Sequence, residues 1–136
     1  SKVKQKQGNF LYLSEPLNER WSKSGSCNKD AINFCLEKIN NGKFGIIKKF
    51  LLRPHPSQSI TDFSWLLNKE FSFKIIIDNK NELYKDIGNA EFIAGCETYA
   101  LVISKEANKK TFFALPTWAP TSRLPFKEIK YIRDVI

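Results

Sequence analysis

Several residue types and patterns are scarce in this chain, and each scarcity excludes a class of protein. The 136 residues include one histidine, His55, and no methionine. The three cysteines, Cys27, Cys35 and Cys96, are an odd number with no Cys-x-x-Cys pair, which fits neither a disulfide framework nor a zinc site. We therefore expect reduced thiols and no metal site.

Long apolar runs are also missing. No segment approaches the roughly 18 to 20 consecutive apolar residues that a membrane-spanning helix needs. Residues 1–8 form a basic polar arm that lacks the apolar centre of a signal peptide. These features predict a soluble, cytoplasmic protein. The sequence leaves open whether Ser1 follows a removed initiator residue or begins a piece cut from a longer chain.

The composition that remains is that of an ordinary globular domain, with 42% hydrophobic and 26% charged residues. We predict a single domain over residues 9–136, after the basic arm. The net charge of +8 favours an anionic ligand, such as a nucleotide or an acidic sugar. Because the lysines are spread along the chain and no helix concentrates them, we do not expect binding to nucleic acid.

Short apolar runs alternate with helix-like segments, a pattern typical of a parallel sheet covered by helices on both faces. It predicts an α/β fold: a Rossmann-like, three-layer α/β/α domain with a five-stranded, mainly parallel sheet. The predicted strands are 9–13, a strand ending at 50–53, 73–77, 91–94 and 111–115. The first predicted helix begins at Ser26 or Asn28 and ends near 40. Three further helices are predicted near 60–68, 81–87 and 98–109. The remainder from 116 is interrupted by prolines and ends in a basic amphipathic stretch.

Polar residues follow the predicted strands. Because right-handed crossovers make parallel strands point the same way, the loops after them share one edge of the sheet, where ligands bind. The residues predicted at this edge are Ser14, Glu15, His55, Ser57, Asp78 to Asn81, Gly95, Glu97, Thr98 and Pro116 to Trp118.

His55 lies between two prolines directly after an apolar run. Pro54 and Pro56 each fix φ near −65° and restrict the preceding residue, so the imidazole is predicted on a rigid turn. Such a ring can donate a hydrogen bond to a phosphate oxygen. The alternative is a histidine that packs at a strand end and bonds a backbone carbonyl.

A tight turn from strand to helix follows at Gly95 to Thr98. Free amide groups at a helix start favour an anion, Gly95 lets a ligand approach the backbone, and the Thr98 hydroxyl adds a donor. Glu97 is acidic and better suited to a ribose hydroxyl than to a phosphate. The alternative is plain capping of the helix by Glu97 and Thr98.

The proline-rich segment after the last predicted strand carries Trp118 and Arg123. Trp118 has a ring that can stack on a base, and Arg123 can pair with a phosphate or carboxylate. The alternative is a segment that wraps the fold, with Trp118 as buried filler.

The motifs "RPHPS" (53–57) and "FIAGCETYALVISKEANKKTFFALP" (92–116) resemble the nucleotide-sugar-binding half of GT-B glycosyltransferases. The likeness is to bacterial sialyltransferases, polysialyltransferases and related capsular polysaccharide enzymes with a His-Pro motif. It implies that His55, with Pro56 and Ser57, binds the phosphate of a CMP-sugar, and that Thr98 holds it from the other side. It also implies that Asp78 to Asn81 meet the base. Glu97 departs from the family's small hydroxyl residue, and we expect it to contact ribose.

The resemblance implies only half of an enzyme. GT-B enzymes pair two Rossmann-like domains. The resemblance to sialyltransferases implies that the general base, an Asp or Glu, is carried by the N-terminal domain. A second domain or chain would have to supply that carboxylate and the acceptor site. No cofactor is expected beyond the nucleotide-sugar itself. A non-catalytic module that binds a nucleotide or anionic sugar, and a Rossmann-like interaction protein, stay open as alternatives.

Overall fold

Six parallel strands form one sheet in this computed structural model, which describes residues 7–136. Most of the predicted basic arm therefore lies outside the described residues. The strands are β1 (Asn9–Leu13), β2 (Lys49–Arg53), β3 (Lys74–Ile77), β4 (Phe92–Gly95), β5 (Lys110–Phe113) and β6 (Lys130–Tyr131). Their order across the sheet is β3-β2-β1-β4-β5-β6, and each neighbouring pair is parallel.

Helices lie between successive strands from β1 to β5, and a further short helix follows β6. They are α1 (Cys27–Asn40), α2 (Leu83–Asn89) and α3 (Ala100–Glu106), with 3-10 helices at Ile60–Leu66 and Ile132–Asp134. Ser26 begins α1, since its side chain accepts a hydrogen bond from the Lys29 amide. The 3-10 helix at Ile60–Leu66 begins with a capping box between Ser59 and Asp62.

The sheet buries both of its faces, as the alternation along β1 demonstrates. Phe10 and Tyr12 belong to a core cluster that includes the apolar side of α1. Leu11 and Leu13 point the other way, into a second cluster with Ile87 of α2 and Leu101 of α3, among others. The prediction of an α/β fold with a parallel sheet and helices on both faces is confirmed.

The predicted number of five strands is wrong, because β6 adds a sixth. Lys130–Tyr131 pairs with Phe112 and Phe113 at the end of β5. A strand of two residues has no apolar run or alternation of its own, so only its pairing identifies it.

The direction in which strands are added reverses at β1. From β1 to β3 the chain builds outward on one side of the sheet, and with β4 it crosses to the other side. The loops after β1 and β4 are neighbours that lead away from each other. This reversal creates a topological switch point at the carboxyl edge of the sheet.

Candidate functional site at the carboxyl edge

The predicted site residues follow three different strands at this edge. His55, Pro56 and Ser57 come after β2, Gly95 ends β4 with Glu97 and Thr98 just beyond it, and Asp78 follows the edge strand β3. In the strand order, β1 lies between β2 and β4. The loop that follows β1 therefore separates the His55 turn from the Thr98 turn, and it contacts both.

His55 is exposed, and its ring is held in one orientation by its own turn. The Nδ1 atom accepts a hydrogen bond from the Ser57 amide at 3.1 Å and lies 2.8 Å from the Ser57 hydroxyl. Because Nδ1 accepts from an N–H group, the proton of the neutral ring belongs on Nε2. His55 thus presents a hydrogen-bond donor at the surface.

Gln58 fastens the His55 turn to the β1 loop, a role that was not predicted from the sequence. Its Oε1 atom accepts from the His55 amide at 2.9 Å and from the Ser14 hydroxyl at 3.0 Å. Ser14 in turn accepts from Asn28 Nδ2 of α1 at 2.9 Å. The turn is therefore tied to the neighbouring loop and to α1 by side-chain hydrogen bonds.

Arg53, the first residue of the "RPHPS" motif, has a structural role. Its Nη1 atom lies 2.8 Å from the Oδ2 atom of Asp86 and donates to the Asn81 carbonyl at 2.7 Å. The Asp86 side chain is 2% exposed. This ion pair anchors the end of β2 to α2 and leaves His55 and Ser57, which bond each other, as the exposed polar side chains of the motif.

The amides of the turn after β4 already have an acceptor, which is a side chain of the protein itself. Glu15 Oε1 accepts hydrogen bonds from the amides of Cys96 at 3.2 Å, Glu97 at 2.6 Å and Thr98 at 3.1 Å. Burial raises the pKa of the Glu15 carboxyl, and the three amide hydrogen bonds oppose that rise. A phosphate could use these amides only by displacing Glu15.

Gly95 serves close packing between strands. A Cβ atom added there would lie 3.1 Å from the Leu13 carbonyl oxygen and 3.4 Å from Cγ2 of Thr98. The Thr98 hydroxyl oxygen accepts from the Ala100 amide at 3.3 Å, so it helps to begin α3 and keeps its own proton for a further bond. The approach of a ligand to Gly95 stays a prediction.

A cavity of about 330 Å³ opens beside this turn, and we call it the arginine cavity. Arg20, Trp21, Glu97 and Arg123 are among its lining residues. Glu97 Oε2 accepts from the Arg123 amide at 3.3 Å and lies 3.7 Å from its Nε atom. Glu97 therefore positions one of two guanidinium groups around a concave surface.

A second cavity of about 310 Å³ lies on the β2 side, and we call it the Trp65 cavity. Its lining includes Ser57, Gln58 and Lys29, whose ammonium group lies 5.2 Å from the centre of the Trp65 ring. Leu17 lines both cavities. The His55 turn and the Glu97 turn therefore border adjacent cavities on either side of the β1 loop.

Trp118 is 38% exposed and lies against α1. Its ring meets Phe34 edge-on at 6.2 Å between centroids, and the Lys23 ammonium lies 4.1 Å from the ring centroid. Arg133 holds the segment by donating to the carbonyls of Pro116 and Ala119. Trp118 is partly exposed, so it is neither buried filler nor a fully open stacking platform.

Asp78 lies at the far end of the edge, beyond β2 and β1 from the Glu97 turn. Its Oδ1 atom accepts from the Lys80 amide at 3.4 Å. A contact between Asp78 and a base stays a prediction, and such a contact would belong to the β3 side of the edge.

Within residues 7–136, no helix has the length and apolarity needed to cross a membrane. The same residues contain no group of three or more His, Cys, Asp or Glu side chains arranged to hold a metal ion. All three cysteines are free and buried. No protein-family model, curated protein or solved structure was found to match this chain.

Proposed function

We propose that this chain is the donor-binding half of a sialyltransferase-like GT-B glycosyltransferase, which binds a CMP-sugar-like nucleotide at the carboxyl edge of its sheet. The strand order supports a Rossmann-like fold, because 3-2-1-4-5-6 is the order of dinucleotide-binding domains. Domains of that kind bind ligands outside the carboxyl ends of their strands, at the switch point. The arginine cavity lies beside the turn after β4, at this point.

The single observation that carries the proposal is the fixed, exposed donor at His55. The Ser57 amide holds Nδ1, so Nε2–H is free to bond a phosphate oxygen without reorganising the ring. Pro54 and Pro56 limit the backbone entropy that binding would otherwise remove. A donor already in place at the edge is what recognition of a phosphate requires.

The arginine cavity supplies charge and shape for the rest of the donor. Its volume of about 330 Å³ falls within the usual range of small-molecule sites, about 300 to 1,000 Å³. Arg20 and Arg123 suit a phosphate or the carboxylate of an acidic sugar. Trp21 offers an apolar surface, and Glu97 can accept a hydrogen bond from a sugar or ribose hydroxyl.

Transfer of the sugar requires groups beyond this donor site. A general base must take the proton of the acceptor hydroxyl as the new glycosidic bond forms. In the proposal, a second Rossmann-like domain or chain provides that base and the acceptor site. The described chain then recognises the donor and holds it in position.

Calorimetric titration of the protein with CMP tests the proposal. His55→Ala should weaken CMP binding at least tenfold, which corresponds to about 1.4 kcal/mol. Arg123→Ala should weaken it as well, because the guanidinium no longer faces the cavity. Lys105→Ala serves as the matched control: it removes one exposed positive charge in the last turn of α3 and should leave affinity unchanged.

Each result bears on a different part of the proposal. Unchanged affinity in His55→Ala would contradict the site. An equal loss in Lys105→Ala would mean that CMP responds to overall charge alone. A parallel titration with UMP checks the base, since a CMP-sugar site should bind CMP more tightly than UMP.

A further inference from the structure

Among residues 7–136, no strand pairs with the outer side of the edge strand β3, which leaves hydrogen-bonding groups open there. The amides of Lys74 and Asp78 point toward β2, where they donate to the carbonyls of Lys48 at 3.0 Å and Leu52 at 3.3 Å. Backbone groups alternate in direction along a strand. Ile75 and Ile77 therefore direct their N–H and C=O groups away from β2, toward the open edge.

The side chains of β3 make this edge apolar. Ile75, Ile76 and Ile77 are each partly exposed, and Ile75 and Ile77 also pack against the core cluster of Phe10 and Tyr12. Exposed β-branched residues with unpaired backbone groups are a template for another strand, unless the protein blocks that pairing. Lys74 and Asp78 flank the isoleucines and determine which strand fits.

We propose that β3 pairs in antiparallel orientation with β3 of a second copy of this chain, around a two-fold axis at Ile76. In this register Ile75 faces Ile77 of the second copy, and Ile77 faces its Ile75. Both residues point their backbone groups outward, so each such pair exchanges both N–H···O=C bonds. The two sheets then continue into one.

The charges at the ends of β3 favour this register. Lys74 lies opposite Asp78 of the second copy, and the two-fold axis repeats the pair at the other end. Both residues direct their backbone groups toward β2, which makes this a non-hydrogen-bonded pair, in which facing side chains come closest. Opposite charges that face each other across strands stabilise the pairing.

Neighbouring registers are worse for identifiable reasons. A shift of one residue would place inward-pointing backbone groups opposite outward-pointing ones, which breaks the ladder. A shift of two residues in one direction would set Lys74 against Lys80 of the second copy. The same shift in the other direction would set Asp78 against Ser72 and lose the ion pair. The sequence of this segment thus specifies one self-pairing.

The dimer should be weak. Each copy carries a net charge of +8, so long-range repulsion opposes association. The contact is one short strand, which places it in the class of small, transient interfaces. A disulfide cross-link, which captures a transient contact between two copies, is therefore the appropriate test.

The test is Ile76→Cys in the full chain, oxidised under mild conditions and analysed on a non-reducing gel. On the two-fold axis the two Cα atoms of residue 76 would lie about 4.5 Å apart, within the range that a disulfide bridges. Rapid formation of a covalent dimer is expected. The native cysteines are buried, so the unmodified chain should give no such product.

Ser72→Cys is the matched control, because Ser72 is exposed but lies outside the strand. In the proposed register its two copies would be roughly 20 Å or more apart, and no covalent dimer should form. Equal cross-linking of the two variants would indicate random collision and overturn the proposal, as would the absence of a dimer in Ile76→Cys.

A charge exchange tests the register independently. Adding Lys74→Asp to Ile76→Cys places two carboxylates opposite each other and should slow cross-linking several-fold. Adding Asp78→Lys as well restores opposite charges at both ends and should recover the original rate. Failure of the second change to rescue the first would overturn the Lys74–Asp78 register. The readout is independent of nucleotide binding, so it does not depend on the proposed function.

Discussion

The turns after β2 and β4 occupy equivalent positions at the ends of two parallel strands, yet their polar groups are in opposite states. At the β2 turn, His55 is exposed and its Nε2–H group is free for a ligand. At the β4 turn, the amides of Cys96, Glu97 and Thr98 already donate to Glu15. One turn offers a donor, and the other is closed by an acceptor from the protein itself.

The difference shows that the chemistry of a turn depends on which distant residue reaches it. Both turns have the residue types expected of an anion site. Glu15 lies more than 80 positions before the amides that it binds. A contact between residues so far apart in sequence is not predicted by any local pattern. The bond between His55 and Ser57 spans two positions and is local.

The largest expected effect comes from breaking the anchor beneath the β2 turn. Asp86→Ala leaves Arg53 without its carboxylate in a mostly buried position, and should lower the free energy of unfolding by about 3 kcal/mol. Urea denaturation measures it. The double variant Arg53→Met with Asp86→Leu replaces the ion pair by apolar side chains and should recover most of the loss. A double variant as unstable as the single one would contradict this explanation.

Removing the acceptor at the β4 turn should have the next largest effect. Glu15→Ala leaves three amides of the turn without their partner and should lower the free energy of unfolding by about 2 kcal/mol. Ser14→Ala is the comparison on the β2 side, because it removes two neutral hydrogen bonds, one to Gln58 and one from Asn28, and should cost about 1 kcal/mol. Equal losses in the same urea experiment would remove the distinction between the turns.

Much of the fold follows from local sequence signals. The bounds of β1 are as predicted, and Ser26, one of the two predicted caps, begins α1, because each feature depends on adjacent residues. Helix α3 is shorter than the predicted 98–109: it ends at Glu106, shortly before Asn108 adopts a φ of 62°. Strand β6 depends on pairing with β5 and has no local pattern. The pairing of β6 and the positive φ of Asn108 are both properties of the folded chain.

The candidate site was less accessible to prediction than the fold. The residues of the carboxyl edge were identified because strand polarity places them there. The long-range contacts of Glu15 and the involvement of Gln58 were not, since they arise when separate loops meet. Arg20 and Trp21 were also missed, because they belong to an irregular segment with no motif. Their cavity becomes visible only when the β1, β4 and β5 loops come together.

Substitution of Gly95 tests how closely the β4 turn packs against β1. In Gly95→Ala the new Cβ atom would meet the backbone oxygen of Leu13 at 3.1 Å, so the strands must shift by a few tenths of an ångström. We expect a loss of about 1 kcal/mol in the free energy of unfolding, at the low end for overpacking. Gly25→Ala is not a matched control, because Gly25 has a positive φ of 97°. The comparison variant is Ala94→Gly. Ala94 is the preceding, buried residue of the same strand, and this change alters a small side chain without adding an atom.

The smallest effect expected is a change of stability with pH that comes from Glu15. Its pKa is raised in the folded state by burial, so the folded protein holds this proton to a higher pH than the unfolded chain does. Ionisation of Glu15 therefore opposes folding, and its contribution to stability falls as pH rises from the ordinary glutamate pKa through the raised one. Glu15→Gln removes this titration but keeps an oxygen that can accept from the amides. The difference in free energy of unfolding between the native chain and Glu15→Gln, measured with urea from about pH 4 to about pH 7, should fall and then level off. A difference that rises with pH would mean that the amide hydrogen bonds outweigh burial, and that the β4 turn prefers a charged occupant after all.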